Sequence, residues 1–287
     1  MKIGLLVSGS LGCSLLKELS HNNEILAVLT NKSSEGIIEF CQTKMIPYYV
    51  GNPRNGRVRE FIKIGIPDLL LSVNYLFLIE EDLIQWPKLW AFNVHGSLLP
   101  KYRGRTPHVW SIINNEFETG VTVHLIDESC DTGDIVAQER VAIETDDTGA
   151  SLLSKYVEIY PKIIDRVLKM IQLDEIVPRR QEESKATIFG KRTPDDGLID
   201  WNWQKERIRN WVRAQSFPYP GAFSFYKGHK LIIDKVEYSD NGFRSDQTNG
   251  TILEVKQGLI VKCPNGSLRL SAIRNELPKI SPGEILN

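Results

Sequence analysis

The chain has 287 residues, of which 41% are hydrophobic and 25% charged, a composition that predicts a folded protein long enough for two hydrophobic cores. Its 35 basic and 36 acidic residues give a net charge of −1, which disfavours nucleic acid or any other partner bound mainly through many phosphates. The four scattered cysteines show neither a disulfide framework nor metal-ligand spacing, so no metal site is expected.

The apolar run that ends at Val7 is too short for the core of a signal peptide or for a membrane span. We therefore expect a cytoplasmic protein without a membrane partner.

Short apolar runs alternate with helical patterns through the first half of the chain, which is typical of a parallel sheet covered by helices. The predicted strands are Lys2–Val7, Glu24–Thr30, Ile46–Val50, Pro67–Val73 and Trp90–His95. The predicted helices between them are Leu11–Ser20, Glu35–Lys44, Arg57–Ile64 and Glu80–Gln85. This order predicts a doubly wound, Rossmann-like α/β domain.

After Thr106-Pro107 the pattern predicts a helix to about Asn114 and then two strands, Gly120–Ile126 and Asp134–Ile143. Apolar residues at helical spacing from Gly149 to Gln172 predict a long amphipathic helix that closes the first domain.

Polar residues and the breakers Pro178 and Pro194 interrupt this periodicity, so we predict a first domain at 1–190 and a small β-rich domain at 196–287. In the second domain, a helix near Trp203–Gln215 precedes short strands separated by turns, as in an OB-type β-barrel. These strands are Ala222–Tyr226, Lys230–Val236, Gly250–Val255, Leu259–Cys263 and Ser267–Ile273.

Polar residues gather where the fifth predicted strand ends. Asn93 and His95 are two positions apart, so on a strand both project from the same face. In open parallel α/β sheets, the crevice beyond the carboxyl ends of the strands binds ligands. One side chain is therefore placed to donate to an oxyanion and the other to move a proton.

A second polar element is the glycine-containing loop from Asp127 to Asp134, between two predicted strands. We expect its Asp131 to orient His95 and to raise the affinity of the imidazole for a proton. Taken singly, each piece has a plainer interpretation. His95 is then a hydrogen-bonded structural histidine and the Asp131 loop is a hairpin turn. Lys101, Arg103 and Arg105 then form a solvated basic loop.

Three motifs in order resemble the 10-formyltetrahydrofolate-dependent formyltransferases, which include the methionyl-tRNA, glycinamide ribonucleotide and sugar N-formyltransferases. They are Asn93-Val94-His95 with Ser97-Leu98-Leu99-Pro100, then Glu118-Thr119-Gly120-Val121-Thr122, then Asp131-Thr132-Gly133-Asp134. Gly197–Trp201 and Phe217–Ala222 resemble the start of the second domain in the transfer-RNA and sugar enzymes.

The resemblance implies an enzyme whose first domain is catalytic and whose co-substrate is 10-formyltetrahydrofolate. It assigns His95 to proton transfer from the attacking amine, Asn93 to the oxyanion, and Asp131 to orienting His95. Attack of an amine on the formyl carbon creates an oxyanion and a cationic nitrogen together, so a fixed donor and a nearby base suit this chemistry.

We expect the folate to lie between Ser72–Ile79 and the Asp127–Asp131 loop. The residues assigned to it are Tyr75, Leu76, Phe77, Ile79, Asp127 and Asp131. For each apolar residue taken singly, ordinary core packing remains an equal alternative.

The three branches of the family differ in the amine that accepts the formyl group. Transfer RNA is disfavoured because Leu29–Gly36 is a short loop whose only basic residue is Lys32, and a glycinamide ribonucleotide enzyme would not need the second domain. Gly96 and the run from Lys101 to Trp110 look more like the branch that acts on nucleotide-linked amino sugars.

We therefore predict a small-molecule nucleotide-sugar substrate: a dTDP-linked amino-dideoxyhexose for surface polysaccharide such as lipopolysaccharide O-antigen. A UDP-linked amino sugar remains a close alternative. The basic side chains are expected to hold its pyrophosphate. The residues assigned to this substrate are Ser10, Tyr75, Lys101, Arg103 and Arg105.

A nicotinamide site is discounted because Leu11 occupies the middle glycine position of a GxGxxG pattern. A regulatory folate-binding module remains the non-enzymatic alternative, although the intact set of Asn93, His95 and Asp131 argues against it. The aromatic residues Trp201, Trp203, Trp211 and Phe217 predict a homodimer, or else all four fill the crevice between the two domains.

Overall fold

The computed structural model describes residues 1–276 and 278–287, and the chain divides into two compact units. Unit 1 consists of Met1–Gly104, Gly120–Val141 and Lys155–Phe189. Unit 2 consists of Arg105–Thr119, Ala142–Ser154 and Gly190–Asn287. Each unit is thus built from three separate stretches, and the continuous ranges 1–190 and 196–287 stay a prediction.

The first 189 residues alternate strands and helices in the predicted order. In chain order the elements are β1 (Lys2–Val7), α1 (Gly9–Asn22), β2 (Glu24–Thr30), α2 (Glu35–Thr43), β3 (Tyr48–Val50), β4 (Leu69–Val73), α3 (Glu81–Ile84), β5 (Trp90–His95), β6 (Arg103–Gly104), α4 (Pro107–Ile113), β7 (Glu118–Leu125), β8 (Ile135–Ala142), α5 (Gly149–Gln172) and β9 (Ile188–Phe189).

Seven of these strands form one sheet in the order β3-β2-β1-β4-β5-β7-β8. The pairs from β3 to β5 are parallel, and β7 runs antiparallel to β5. Every residue of β4 is buried, as expected for a strand covered on both faces by helices. The predicted α/β class with a parallel central sheet is confirmed.

One predicted helix is wrong in type. Residues 57–64 form turns that end in a single 3-10 turn at Phe61–Ile64. Gly56 and Gly65 flank the segment with φ of 71° and 158°. A helix cannot continue through the left-handed φ of Gly56, and turns rather than successive helical hydrogen bonds fill the segment up to Gly65.

Unit 2 contains a five-stranded antiparallel sheet in the order β10-β11-β14-β13-β12. Its elements are α6 (Lys205–Ala214), β10 (Ala222–Tyr226), β11 (His229–Ser239), β12 (Ile252–Val255), β13 (Leu259–Cys263) and β14 (Gly266–Ile273). Apolar side chains of α6 and of all five strands form its core. The prediction of a β-rich second domain is confirmed.

The last residues of the chain join the two edge strands of this sheet. The N–H of Ile252 in β12 donates to Glu284 O at 2.8 Å, while Phe225 in β10 and Asn287 exchange two backbone hydrogen bonds. Leu286 lies between these contacts and is 1% exposed. The edges are therefore closed by a short tail, which gives the sheet its barrel-like form.

Helix α4 belongs to unit 2, although it precedes β7 in the chain. Asn210 Nδ2 on α6 donates to Asn115 Oδ1 at 2.8 Å. His108 Nε2 lies 2.7 Å from the hydroxyl of Tyr219. These contacts fix α4 and the turn after it against the C-terminal part of the chain.

The aromatic residues behind the dimer prediction pack mostly within unit 2. Trp201 is 4% exposed in the core, and Trp203 and Trp211 pack against it. Phe217 is 71% exposed. Three of the four residues therefore pack within unit 2 itself, and the homodimer stays a prediction.

Within residues 1–276 and 278–287, no helix combines the length and the apolar character that crossing a membrane requires.

Candidate active site

Asn93 and His95 lie at the carboxyl end of β5, between β4 and β7. Ser72 is the partner of Asn93 on the β4 side. On the β7 side, Asn93 faces His124 and His95 faces Thr122. Residues directly opposite in an antiparallel pair share a face of the sheet, so β7 brings a second histidine to the same face.

Asp131 lies in the loop between β7 and β8, where its φ of 57° is left-handed. The turn closes tightly two residues later: a Cβ on Gly133 would lie 1.9 Å from Leu125 O. Only glycine fits there. This turn places the side chain of Asp131 over the end of β5.

The carboxylate of Asp131 contacts the three polar side chains of β5 and β7. Its Oδ1 lies 3.3 Å from Asn93 Nδ2, 3.5 Å from His95 Nδ1 and 3.6 Å from His124 Nε2. Its Oδ2 accepts a hydrogen bond of 2.8 Å from the N–H of Gly104. The structure thus brings Asn93, His95 and Asp131 into direct contact.

The hydrogen bonds of His95 identify the ring nitrogen that is available for a proton. Nε2 lies 2.8 Å from the carbonyl oxygen of Tyr102, and because a carbonyl only accepts, Nε2 carries the hydrogen. In the neutral ring the lone pair is therefore on Nδ1, which faces Asp131.

The pKa values of His95 and Asp131 are both lowered from their ordinary values. Burial lowers the pKa of His95, and this outweighs the opposite effects of Asp131 and of the Tyr102 carbonyl. For Asp131, burial alone would raise the pKa, but His95, His124 and the Gly104 N–H together hold it far below its usual value. The site therefore holds a neutral imidazole beside an ionised carboxylate at neutral pH.

The expected effect of Asp131 on His95 is present, but burial has the larger effect on the pKa of His95. The carboxylate does favour the protonated form of His95, but the net pKa of His95 is lowered, because the ring is 6% exposed and loses its hydration.

His124 is a site residue that the sequence analysis missed. Its Nδ1–H donates to Leu125 O at 2.7 Å, so Nε2 accepts a hydrogen bond of 3.1 Å from Asn93 Nδ2. The available signal was the period of two, since His124 follows Thr122 in the predicted strand Gly120–Ile126. Finding it required knowing that this strand pairs with β5.

Gly96 is held by two tyrosines of α5. A Cβ at this position would lie 2.8 Å from Tyr156 Cε2 and 3.2 Å from the Tyr160 hydroxyl, and the Tyr156 hydroxyl donates to Gly96 O at 2.9 Å. Burial, together with the charge of Asp131, raises the pKa of Tyr160. The tyrosines therefore act as a rigid, neutral wall behind His95.

Four of the residues assigned to the folate follow β4 and differ in how far they are buried. They are Tyr75, Leu76, Phe77 and Ile79. Tyr75 and Ile79 pack against a buried cluster of unit 1, and Tyr75 meets Phe77 edge to face at 5.4 Å. Leu76 is 42% exposed. The core-packing alternative therefore applies to Tyr75 and Ile79, while Leu76 faces outward.

Two further features of this region concern hydrogen bonding. Within the described residues, the buried hydroxyl of Tyr75 has no hydrogen-bond partner. Asp127 accepts hydrogen bonds from Ser129 N at 3.1 Å and from the hydroxyl of Thr132 at 2.7 Å, so its carboxylate also supports its own loop.

Ser10, Lys101 and Arg105 are exposed. Ser10 lines a recess of about 520 Å³ between the first turns of α1 and α2.

Arg103 is 2% exposed and its guanidinium is held inside the protein. It donates to Gln181 Oε1 at 2.8 Å and to both carboxylate oxygens of Glu183, at 2.6 Å and 3.0 Å. The solvated-loop interpretation therefore does not describe Arg103, whose guanidinium is buried and paired with a carboxylate. In this conformation the guanidinium is directed at Gln181 and Glu183 and does not lie on an open surface for a pyrophosphate.

Two protein-family models match the chain. "Formyl transferase" matches residues 8–168, and "Formyl transferase, C-terminal domain" matches residues 191–287. Asn93, His95, His124 and Asp131 all lie within the first match.

A curated relative is the bifunctional polymyxin resistance protein ArnA from Wigglesworthia glossinidia brevipalpis, which is 37% identical over 273 residues. The match covers 91% of this chain and 40% of that protein. This chain thus spans about two fifths of the length of that relative.

Two solved structures share the fold over nearly the whole chain. WlaRD, a sugar 3N-formyl transferase solved in the presence of dTDP and 5-N-formyl-THF, is 21% identical with a TM-score of 0.69, covering 96% of this chain and 99% of its own. The N-formyltransferase from Helicobacter canadensis, solved with folinic acid and dTDP-3-aminofucose, is 20% identical with a TM-score of 0.70, covering 95% and 98%.

Proposed function

Because the chain belongs to the formyl transferase family, we propose that it transfers the formyl group of 10-formyltetrahydrofolate to the amino group of a dTDP-linked amino-dideoxyhexose. The observation that carries the proposal is the neutral, buried His95 beside the ionised Asp131 at the end of β5. Such a pair suits a reaction that must remove one proton from an attacking amine.

His95 takes up the proton of the amine at Nδ1. That nitrogen carries the lone pair and lies 3.5 Å from Asp131 Oδ1, so the imidazolium forms next to a negative charge. The proton then passes to the folate nitrogen as the bond between that nitrogen and the formyl carbon breaks. One base thus serves both halves of the transfer.

Asn93 supplies an N–H to the oxyanion that develops on the formyl oxygen. Before reaction its amide hydrogens point to His124 Nε2 at 3.1 Å and to Asp131 Oδ1 at 3.3 Å. The amide hydrogen directed at Asp131 Oδ1 turns to the oxyanion as it develops. His124 keeps the amide in its orientation meanwhile.

The co-substrate is the source of the formyl carbon. The apolar side chains of Leu76 and Phe77 and the loop from Asp127 to Asp131 would hold its ring. Lys101 and Arg105 would bind the pyrophosphate of the sugar nucleotide, and Ser10 would face its sugar or phosphates. The dTDP assignment is supported by the two solved relatives, which were crystallised with dTDP or with dTDP-3-aminofucose.

We further infer that the product is a building block of surface polysaccharide, such as lipopolysaccharide O-antigen, made in the cytoplasm by a homodimer. Sedimentation at micromolar concentration checks the last point, since a species of one chain only would remove the dimer.

The test is a mass-spectrometric assay with 10-formyltetrahydrofolate and a panel of dTDP- and UDP-linked amino sugars. The expected result is gain of one formyl group on a dTDP-linked sugar, lost in His95→Ala and retained in His229→Ala, which alters an exposed histidine of unit 2. Formylation of a UDP-linked sugar alone would move the assignment to that nucleotide.

The same assay also offers methionyl-tRNA as the acceptor of the formyl group. Formylation of methionyl-tRNA with no reaction on any sugar nucleotide would overturn the proposal. Folate binding without transfer to any acceptor would instead favour the regulatory folate-binding module.

A further inference from the structure

A segment that lies outside both family-model matches contacts Asp131 and the residues around it. The models end at residue 168 and resume at residue 191. The segment in between reaches Asp131 from two sides: through the side chain of Gln181 and through the strand β9.

Gln181 holds the main chain of the Asp131 turn. Its Nε2 donates to Asp131 O at 2.8 Å and to Gly133 O at 2.7 Å. These two carbonyls flank the turn that puts Asp131 in a left-handed conformation. Both hydrogens of one amide are thereby used to keep the two ends of the turn together.

Arg103 fixes which way this amide points. Its Nε and NH2 groups donate to Gln181 Oε1 at 3.2 Å and 2.8 Å. A guanidinium only donates and carbonyls only accept, so the amide oxygen must face Arg103 and the amide nitrogen must face the turn. Glu183 in turn holds the guanidinium through both of its oxygens.

The end of the segment holds the opposite side of the carboxylate. β9 pairs with β6, with Gly104 opposite Phe189, and the N–H of Gly104 donates to Asp131 Oδ2 at 2.8 Å. Thr187 Oγ1 accepts a hydrogen bond of 2.8 Å from the N–H of Tyr102, whose carbonyl accepts from His95 Nε2. The segment thus supports Asp131 and the residue that orients His95.

We propose that Gln181 is a positioning residue for formyl transfer, which holds the Asp131 carboxylate against His95 and is itself oriented by Arg103. The inference rests on the proposed function, and it replaces the pyrophosphate role that the sequence suggested for Arg103. A side chain outside both family models would then set the geometry of the reaction.

The test compares two variants of Gln181 with a matched control. Gln181→Met keeps the length of the side chain but removes both donors. Gln181→Glu keeps an oxygen for Arg103 but presents no amide hydrogens to Asp131 O and Gly133 O. Gln215 is the control, because it is also buried, accepts from Arg192 at 3.0 Å and donates to Trp211 O at 2.9 Å within unit 2.

For both Gln181 variants we expect kcat to fall by about tenfold or more, while KM for the folate changes by less than about twofold. Gln215→Met should lower Tm and leave kcat at the wild-type value. If Gln181→Met does not fold, kcat and KM of Gln181→Glu are compared with those of Gln215→Met instead.

A second readout needs no substrate. The titration of His95 is followed by NMR, with Asp131 and His124 as the ionisable groups that influence it. Displacing the Asp131 carboxylate should move the His95 midpoint to lower pH in Gln181→Met and not in Gln215→Met, because that charge favours the imidazolium.

The proposal is overturned if both Gln181 variants keep wild-type kcat and the His95 titration is unchanged while Tm falls as in Gln215→Met. Gln181 would then only support the fold. If the wild-type protein formylates no acceptor, the proposed function fails, and the NMR comparison still decides whether Gln181 positions Asp131.

Discussion

His124 lies directly opposite Asn93 across the β5–β7 pair, and its Nε2 accepts a hydrogen bond of 3.1 Å from the Asn93 amide. Asp131 Oδ1 also accepts from the same nitrogen at 3.3 Å. The two bonds together select the orientation in which the N–H groups of Asn93 face the reacting atoms.

The first prediction is that His124→Ala lowers kcat by about tenfold with little change in either KM, because the oxyanion donor loses its fixed orientation. Steady-state kinetics with both substrates checks this. A change confined to KM for the sugar nucleotide would make His124 a binding residue instead.

The second prediction concerns the acid limb of the pH profile. kcat should fall as pH drops below the ordinary histidine value, because burial lowers the pKa of His95. Asp131→Asn should lower the plateau by about a hundredfold and move this limb to still lower pH, since the carboxylate is the group that raises the proton affinity of His95. A limb that moves to higher pH would contradict the proposed arrangement.

The third prediction is that Gly96→Ala lowers both kcat and Tm. The new Cβ would lie 2.8 Å from Tyr156 Cε2, so the backbone next to His95 has to shift. The matched control is Gly242→Ala, where the added carbon meets nothing within 4 Å. Equal Tm and equal kcat for the two variants would show that Tyr156 moves aside without loss of stability or activity.

The fourth prediction uses the buried His108 of unit 2. Burial lowers its pKa from 6.5 to about 4, so the unfolded chain binds a proton that the folded protein does not. Stability is therefore lost as pH falls from about 6.5 towards 4, by up to about 3 kcal/mol at 1.36 kcal/mol per pKa unit.

Replacement by a side chain that does not titrate should flatten this loss. We expect urea melts of His108→Gln to show a smaller decrease in the free energy of unfolding between pH 7 and pH 5 than wild type, by about 2 kcal/mol. His21→Gln, at an exposed position of α1, serves as the control and should keep the wild-type slope.

The fifth prediction tests the tail that closes the sheet of unit 2. Leu286→Ala should destabilise the protein by about 2–5 kcal/mol, because its side chain is 1% exposed between β10 and β12. Ile285→Ala, at a position that is 41% exposed, should cost less than about 1 kcal/mol. Denaturant melts of the two variants make the comparison, and similar losses would mean that the tail is not anchored by Leu286.

Much of the fold follows from local pattern. The strands Lys2–Val7, Glu24–Thr30 and Trp90–His95 and the helix Gly149–Gln172 have the predicted bounds. The strands are short apolar runs, and the apolar residues of the helix recur at helical spacing over many positions. Residues 57–64 form turns and one 3-10 turn instead, between two glycines of positive φ that interrupt a helix.

Local pattern alone predicted the candidate site only where its residues follow one another in the chain, whereas Asp131 was assigned from its polar loop and from the family resemblance. Asn93 and His95 share a strand face, which a period of two reveals. His124 and Gln181 lie 31 and 50 residues from their partners, Asn93 and Asp131. Their roles depend on strand pairing and on a long-range turn contact, and a local pattern does not identify the partner in either case. The burial of Arg103 was hidden for the same reason, since its partners lie 78 and 80 residues away.

The placement of α4 in unit 2 has a consequence for how this chain can be cut or recombined. Unit 2 draws on Arg105–Thr119 and Ala142–Ser154 as well as on Gly190–Asn287, and Asn115 and His108 supply partners to Asn210 and Tyr219. A fragment that starts near residue 190 would leave those partners behind and expose the face of α6 that they cover. No single cleavage releases either unit whole, so an exchange of C-terminal domains between relatives would succeed only if the α4 region were exchanged with them.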